Sequence, residues 1–350
     1  MKKLLTTILL ASFTVLSAGA QEKNTDVPQC VKDMKLSGYG MVQYQASDKE
    51  GDKQNTFNLR LVRLALEGRA HQDFYYKAQM QINGNAFDEN EAGKKNSMTI
   101  RLVDLFGEWQ KYEFFRVKAG QFKRPFTFEN PMHPITQGFM SYSQPISKLA
   151  GFSDRTGEHA CNGRDIGVQI QGDFLKLDGR NLLHYQIGAF NGEGINTKDR
   201  DNRKDIIGGL WVMPIDGLRI GAFGWTGSRF GVGEKNRYAL SAEYAQNDWT
   251  VRTEYIHSQG YASDRNKGDK ADGYYVLCIA PVIEKKLHVK ARYDVYRDQK
   301  TRGSSKTYYE VGADYLFTKN LQLNLEYACV NERSTHSSYN LVDMELDIRF

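Results

Sequence analysis

The sequence predicts an all-β fold, a transmembrane antiparallel up-and-down β-barrel of about sixteen strands. Three observations predict it: many segments in which apolar and polar side chains alternate, connections that alternate between long and short, and an apolar leader at the N-terminus. The mean hydropathy of −0.58 would suit a soluble protein. It does not exclude a membrane, because barrel strands alternate lipid-facing with lumen-facing residues and the apolar signal averages out.

The strand pattern is clear in the segment 287–296. Its odd-numbered residues are Leu, Val, Ala, Tyr and Val, and its even-numbered residues are His, Lys, Arg, Asp and Tyr. A period of two places these sets on opposite faces of a sheet. About sixteen such segments, from 35–45 to 340–350, mostly have the length that a tilted spanning strand needs. In lipid the sheet must close on itself, and about sixteen strands leave a water-filled lumen.

The connections between these segments alternate in length, as expected for tight periplasmic turns on one side and long external loops on the other. The short connections include residues 71–73, 111–113, 214–217, 246–248 and 318–320. The long connections are residues 46–56, 84–98, 123–163, 191–204, 258–272 and 297–306.

The N-terminus reads as an export signal. Two lysines, Lys2 and Lys3, precede an apolar run at 4–16 and the small residues at 18–20. This is the order of a secretory signal peptide, and the run is too short for a membrane-spanning helix. We therefore expect a signal peptide at 1–20, a periplasmic N-terminal segment at 21–34 and an outer-membrane β-barrel at 35–350.

The composition excludes several classes of function. The 47 basic and 42 acidic residues leave a formal charge of +5, too mild to indicate a nucleic-acid partner. The four cysteines lie far apart without a CxxC pair, so they specify neither a disulfide pattern nor a zinc site. The sequence contains no GxSxG, HExxH or P-loop motif. We expect no cofactor, no metal and no catalytic residues, and hence no enzyme.

The last segment, 340–350, ends in Phe350. Its apolar residues alternate with Asp343, Glu345, Asp347 and Arg349. A terminal alternating strand that ends in phenylalanine resembles the last strand of bacterial outer-membrane barrels. This resemblance implies a location in the cell outer membrane.

Several stretches resemble the phosphate-selective porin O and P family. They are FNLRLVRL at 57–64, GQFKRPF at 120–126, and GRDIGVQIQG at 163–172 followed by YQIGAFNG at 185–192. Leu61 stands where the family often has a second consecutive arginine. The resemblance spans most of the chain after the leader. It implies a sixteen-stranded, homotrimeric channel for anions such as phosphate.

The connection at 123–163 is too long and too aromatic for a solvated tail. We expect it to fold into the pore as a third external loop; a surface cap or a trimer contact is the alternative. Its aromatic residues include Phe126, Phe128, Phe139, Tyr142 and Phe152.

Basic residues on predicted lumen faces are candidates for an anion path and its constriction, because arginine and lysine hold phosphate or carboxylate through charge-assisted hydrogen bonds. Arg60 and Arg63 have opposite parity, so both reach the lumen only if a bulge or a strand end intervenes. The alternative is an ordinary porin wall whose acidic residues balance these charges. The candidates are Arg60, Arg63, Arg116, Lys118, Lys123, Arg124, Lys290 and Arg292.

These observations together predict a passive outer-membrane porin for small hydrophilic solutes, with a preference for anions such as phosphate. Its expected partners are such solutes, outer-membrane lipid and two further copies of the chain. The acidic face of the last strand opposes strong anion selectivity. The alternatives are a barrel enzyme that hydrolyses lipid or peptide, and an adhesin that binds a partner through its external loops.

Overall fold

The computed structural model describes residues 33–83, 100–152, 162–229, 233–260 and 270–350. They form sixteen strands, each antiparallel to its neighbours in sequence, and the first strand pairs with the last. The prediction of a closed, sixteen-stranded all-β barrel is thereby confirmed. The expected signal peptide lies outside the described residues. No helix within the described ranges is long and apolar enough to cross a membrane.

The strands fall in chain order around the barrel. The first eight are β1 (Lys35–Ser47), β2 (Gln54–His71), β3 (Phe74–Gln81), β4 (Arg101–Tyr112), β5 (Phe115–Lys123), β6 (Arg164–Leu177), β7 (Arg180–Phe190) and β8 (Asp205–Val212). The others are β9 (Leu218–Arg229), β10 (Gly233–Gln246), β11 (Trp249–Gln259), β12 (Lys270–Ile283), β13 (Leu287–Arg297), β14 (Ser305–Thr318), β15 (Leu321–Glu332) and β16 (Ser337–Arg349).

Many strands extend further than the apolar pattern predicts. Ser47 pairs with Gln54, so the predicted connection at 46–56 shortens to 48–53. The reason is that backbone pairing continues into polar segments beyond the apolar band, where side-chain alternation gives no signal. The short turns and most long connections keep their predicted places.

The two faces of the wall differ in chemistry as predicted. On β13, Val289 and Tyr293 are exposed on the outside, whereas Lys290, Arg292 and Asp294 are buried toward the interior. An exposed apolar exterior around a charged, buried interior is the arrangement of a barrel that spans lipid. Of the cysteines in the described ranges, Cys278 and Cys329 are free.

The seam of the barrel is closed by the last residue. Gly38 donates its N–H to the carbonyl oxygen of Phe350 at 2.8 Å, and the N–H of Phe350 returns to Gly38 at 3.0 Å. The Phe350 ring is exposed on the outer surface, on the apolar face of the last strand.

A bulge in β2 brings two arginines to the same side. Met41 lies opposite Leu61 and Val42 opposite Leu59, so Arg60 is an extra residue in the ladder. An extra residue shifts the alternation of faces. Arg60 and Arg63 therefore both point inward, and of the two conditions predicted from the sequence, a bulge or a strand end, the structure shows the bulge.

Residues 124–152, which follow β5, pack against the interior face of the wall. Phe126 and Phe128 are buried against Phe223 and Trp225, with ring centroids 5.4 Å apart for the pairs Phe126–Trp225 and Phe128–Phe223. The segment contains a short helix, α1 (Gln144–Leu149), with a proline in its first turn. The helix contacts β11, β12 and β13. We call residues 124–152 the internal segment.

Candidate pore site

Cationic side chains of the wall donate hydrogen bonds to backbone carbonyls of the internal segment. Lys290 Nζ lies 2.9 Å from the carbonyl oxygen of Gly138, and Arg237 Nη1 lies 2.7 Å from that of Leu149. Arg292 Nη1 donates to the Ser141 carbonyl at 2.8 Å, and Arg252 donates to that of Gln137. Strands β10, β11 and β13 thus each supply at least one donor to the segment.

Carboxylates of the same region accept the backbone N–H groups of the segment. Glu254 on β11 accepts from Phe128 and Glu129, both at 2.8 Å. Glu326 on β15 accepts from Met140 at 2.8 Å, and Asp294 on β13 accepts from Gln144 at 2.7 Å. A buried backbone away from regular structure needs such partners. The charged wall therefore satisfies the polar groups of the segment.

Lys290 and Arg292, two candidates for the anion path, are also paired with carboxylates. Lys290 Nζ lies 2.6 Å from Glu326, and Arg292 Nη2 donates to Glu310 at 2.9 Å. Their charge is compensated and their remaining donors face the segment.

Arg124 requires a correction, because sequence analysis placed it on the aqueous path. It is fully buried, pairs with Asp165 at 2.8 Å and lies 4.9 Å from the ring centroid of Trp225. Buried and neutralised, it faces no water. Strand β5 ends at Lys123, so Arg124 belongs to the internal segment and lies in a different environment from its neighbour in the sequence.

Lys123 differs from its neighbour. Its Nζ donates to the hydroxyl of Tyr142 at 2.6 Å and to the Met132 carbonyl. Among the residues described, no carboxylate lies within 4.0 Å of it. The groups in direct contact with Lys123 are thus neutral, and the acids that act on it, Asp104 and Glu129, lie farther away.

Arg116 and Lys118 lie toward the other end of β5, beside the short turn that joins it to β4. Arg116 pairs with Asp173 at 2.6 Å, and Lys118 pairs with Glu108 at 3.6 Å. Both share the lumen face, as predicted, but each has an acidic partner. The structure does not bring them together with Arg60 and Arg63.

Three arginines border one small cavity of about 240 Å³. Arg164 and Arg60 pair with Asp104 and Glu345, at 2.6 and 2.9 Å. Arg63 donates at 3.1 Å to each of two neutral partners, and in the described part of the chain it has no carboxylate within ion-pair distance. Arg164 was not among the candidates predicted from the sequence, although its place beside the long connection was an available signal. The partners of Arg63 are Gln81 and Tyr39.

A larger cavity of about 930 Å³ lies on the other side of the segment. Its lining includes Glu326 and Asp343, together with Arg292, and its lining acids outnumber its lining bases. Ser141 and Tyr142 line both cavities. The segment therefore separates a small basic cavity from a larger, mainly acidic one.

This environment shifts the pKa values of two ionisable side chains of the internal segment. Burial, reinforced by Lys123 and Lys77, lowers the pKa of His133 to about 3. Burial also raises the pKa of Glu129. The segment thus lies where charge is costly unless a partner compensates it.

A closed barrel with an apolar exterior and a charged interior defines a membrane-spanning channel protein. A family model described as Gram-negative porin matches residues 6–335. The chain belongs to the Gram-negative porin family. It is an outer-membrane channel for small solutes.

Several solved outer-membrane proteins share this fold. An anion-selective porin from Comamonas acidovorans has a TM-score of 0.64 at 16% identity, covering 91% of this chain and 99% of that one. OmpF of Salmonella typhi in complex with daunomycin has a TM-score of 0.66 at 15% identity, covering 91% of this chain and 97% of that one. A trimer form of OmpT, an outer-membrane protein of Vibrio cholerae, has a TM-score of 0.59 at 12% identity, covering 91% of this chain and 99% of that one. At these identities the likeness concerns the fold alone. No curated protein sequence matches the chain.

Proposed function

We propose that this porin lets small hydrophilic solutes diffuse passively across the outer membrane, with a modest preference for anions such as phosphate. The observation that carries the preference is Arg63, an inward-facing arginine that borders the small cavity with neutral hydrogen-bond partners. The resemblance of the Phe57–Leu64 and Gly120–Phe126 stretches to phosphate-selective porins supports it. So does the shared fold of an anion-selective porin.

The expected strength of the anion preference depends on which basic residues are paired with carboxylates. Arg60 and Arg164 each face a carboxylate, so their net contribution is small. Arg63, which borders the cavity, and Lys123, which contacts Tyr142 of its lining, have no carboxylate in ion-pair contact among the described residues. Charges in a narrow, low-dielectric passage attract counter-ions by a few kT, most strongly in dilute salt. The acidic lining of the larger cavity opposes this attraction, which limits the preference.

The internal segment would set the narrowest part of the pore. It contacts the interior face of the wall, and its Ser141 and Tyr142 stand between the two cavities. Selectivity in such a channel depends on radius and lining charge. We also propose that the chain assembles as a homotrimer in outer-membrane lipid, as the sequence resemblance implies.

The test is the reversal potential of the purified protein in planar bilayers with asymmetric potassium chloride. We expect a chloride preference that grows as the salt is diluted. Arg63→Gln should reduce it, whereas Arg333→Gln in the turn before β16 should leave it unchanged. A cation preference in the wild-type protein would contradict the anion proposal.

Two further outcomes separate the alternatives. An assembled barrel without conductance that binds a surface partner saturably would indicate an adhesin. Lipid or peptide hydrolysis that a single serine or aspartate substitution removes would indicate an enzyme.

A further inference from the structure

Glu254 has an unusual set of partners for a residue of a barrel wall. It is almost completely buried. Its carboxylate accepts the backbone N–H groups of Phe128 and Glu129 and the hydroxyls of Ser241 and Tyr275, the last at 2.7 Å. Four donors converge on this one carboxylate. Two come from the wall and two from the internal segment, so Glu254 joins the two parts.

The connection continues across the segment. Glu129, whose N–H binds Glu254, accepts the Ser143 hydroxyl at 2.5 Å and the Ser143 N–H at 3.3 Å. The next residue, Gln144, donates its N–H to Asp294 on β13. A series of hydrogen bonds, joined covalently through Glu129 and from Ser143 to Gln144, thus runs from β11 through the segment to β13.

This series ends beside the residues that separate the two cavities. Ser141 and Tyr142 immediately precede Ser143, and both line the basic and the acidic cavity. The position of Ser143 fixes where these two residues stand, because they are linked covalently. A displacement of Glu254 would therefore also shift Ser141 and Tyr142 at the boundary of the two cavities.

We propose that Glu254 is a positioning residue for permeation: it holds the internal segment, through Glu129 and Ser143, where Ser141 and Tyr142 narrow the pore. The inference rests on the proposed porin function. Glu254 itself does not line either cavity, so it acts through the segment and not by touching solutes.

Glutamine at this position should loosen the segment without opening the barrel. Its oxygen can accept hydrogen bonds, but its amide group is a donor that faces other donors. The wall itself is held by the backbone pairing of β11 with β10 and β12, which does not involve this side chain. The variant should therefore assemble and differ in permeation.

The experiment compares Glu254→Gln with Asp314→Asn in planar bilayers. Asp314 is a matched control, because it is a buried carboxylate facing the interior whose hydrogen-bond partner among the described residues is His288 of the wall. For Glu254→Gln we expect single-channel conductance to rise by about 1.5-fold or more and the anion preference to weaken, because the two cavities merge. Asp314→Asn should conduct as wild type.

Assembled Glu254→Gln channels with wild-type conductance and selectivity would overturn the inference. A change of the same size in Asp314→Asn would also overturn it. If Glu254→Gln does not assemble, Glu129→Ala breaks the same series within the segment and should raise conductance in the same way; wild-type behaviour of that variant is the contrary result. Failure of the porin function itself is distinguishable, since the wild-type protein would then not conduct.

Discussion

The two sides of the barrel use the same kinds of charged residue differently. On β10 to β15, inward-facing arginines, lysines and carboxylates bind the backbone of the internal segment and one another. On β1 to β6, Arg63 and Lys123 have neutral partners, while Arg60 and Arg164 have one carboxylate each. The first side carries many of the anchors of the folded segment, whereas the second, which contacts the segment through Arg60 and Lys123, borders the small cavity.

An inward-facing charged side chain therefore does not always present its charge to ions in the pore. Lys290 and Arg63 are both buried and both point inward. Only the partner distinguishes them: a carboxylate and a backbone carbonyl for Lys290, a glutamine and a tyrosine for Arg63. A charge that is balanced and hydrogen-bonded contributes little to the field that a passing ion meets.

Replacing Arg292 should have the largest effect, on stability. Arg292→Leu leaves the buried Glu310 without its partner, which typically costs about 3–5 kcal/mol. Arg63→Leu leaves only neutral partners behind and should cost less. The measurement is the temperature at which the folded, heat-modifiable form is lost in detergent. Equal losses for both variants would contradict the comparison.

Substitution of the two basic residues at the end of β5 should affect different properties, ion selectivity for Lys123 and folding for Arg124. Lys123→Glu should assemble and shift the chloride-to-potassium permeability ratio toward cations by about twofold to fivefold in dilute salt. Arg124→Glu should instead reduce the yield of folded barrel, because it places two buried carboxylates, its own and that of Asp165, side by side. An assembled Arg124→Glu channel with shifted selectivity would return this residue to the aqueous path.

The smallest expected effect is a pH dependence of the internal segment. The lowered pKa of His133, about 3 against an ordinary 6.5, means that the docked segment holds the neutral imidazole. The contribution to docking is complete above about pH 6.5 and is lost as pH falls toward 3. Current noise or the voltage of channel closure should therefore change between pH 7 and pH 4.

His133→Gln should weaken this dependence, whereas His336→Gln in the turn before β16 should preserve it. Glu129 also titrates as the solution is acidified, because burial raises its pKa. The difference between the His133 variant and wild type, and not the absolute pH profile, is therefore the informative quantity. A profile identical in both proteins would show that His133 has no part in docking.

The sequence predicted the barrel well because alternation is a local property. Each strand records its two faces in its own residues, as β13 and the last strand show. The opposite parity of Arg60 and Arg63 indicated that a bulge or a strand end was needed for both to face inward, and the structure has the bulge. The ends of strands were less predictable, because polar residues pair their backbones without leaving a pattern.

The roles of the charged candidates could not be predicted in the same way. Whether Arg124 faces water depends on Asp165, forty-one positions later, and on Trp225 in another strand. Glu254 was not among the candidates, since nothing near it in sequence indicates that Phe128 and Glu129 will come to lie beside it. Contacts between distant segments decided each of these roles.

Many of the hydrogen bonds between the wall and the internal segment go to the segment's backbone, while apolar side chains such as Phe126 and Phe128 pack against the wall. Glycine, serine, methionine and phenylalanine positions are held through the N–H and carbonyl groups that every residue but proline also carries. These backbone hydrogen bonds do not depend on which side chains the segment carries at its pore-facing positions. Side chains beside the pore, such as that of Ser141, can be exchanged without rebuilding the supports beneath them. Evolution, or an engineer, can change what this channel admits while leaving its scaffold alone.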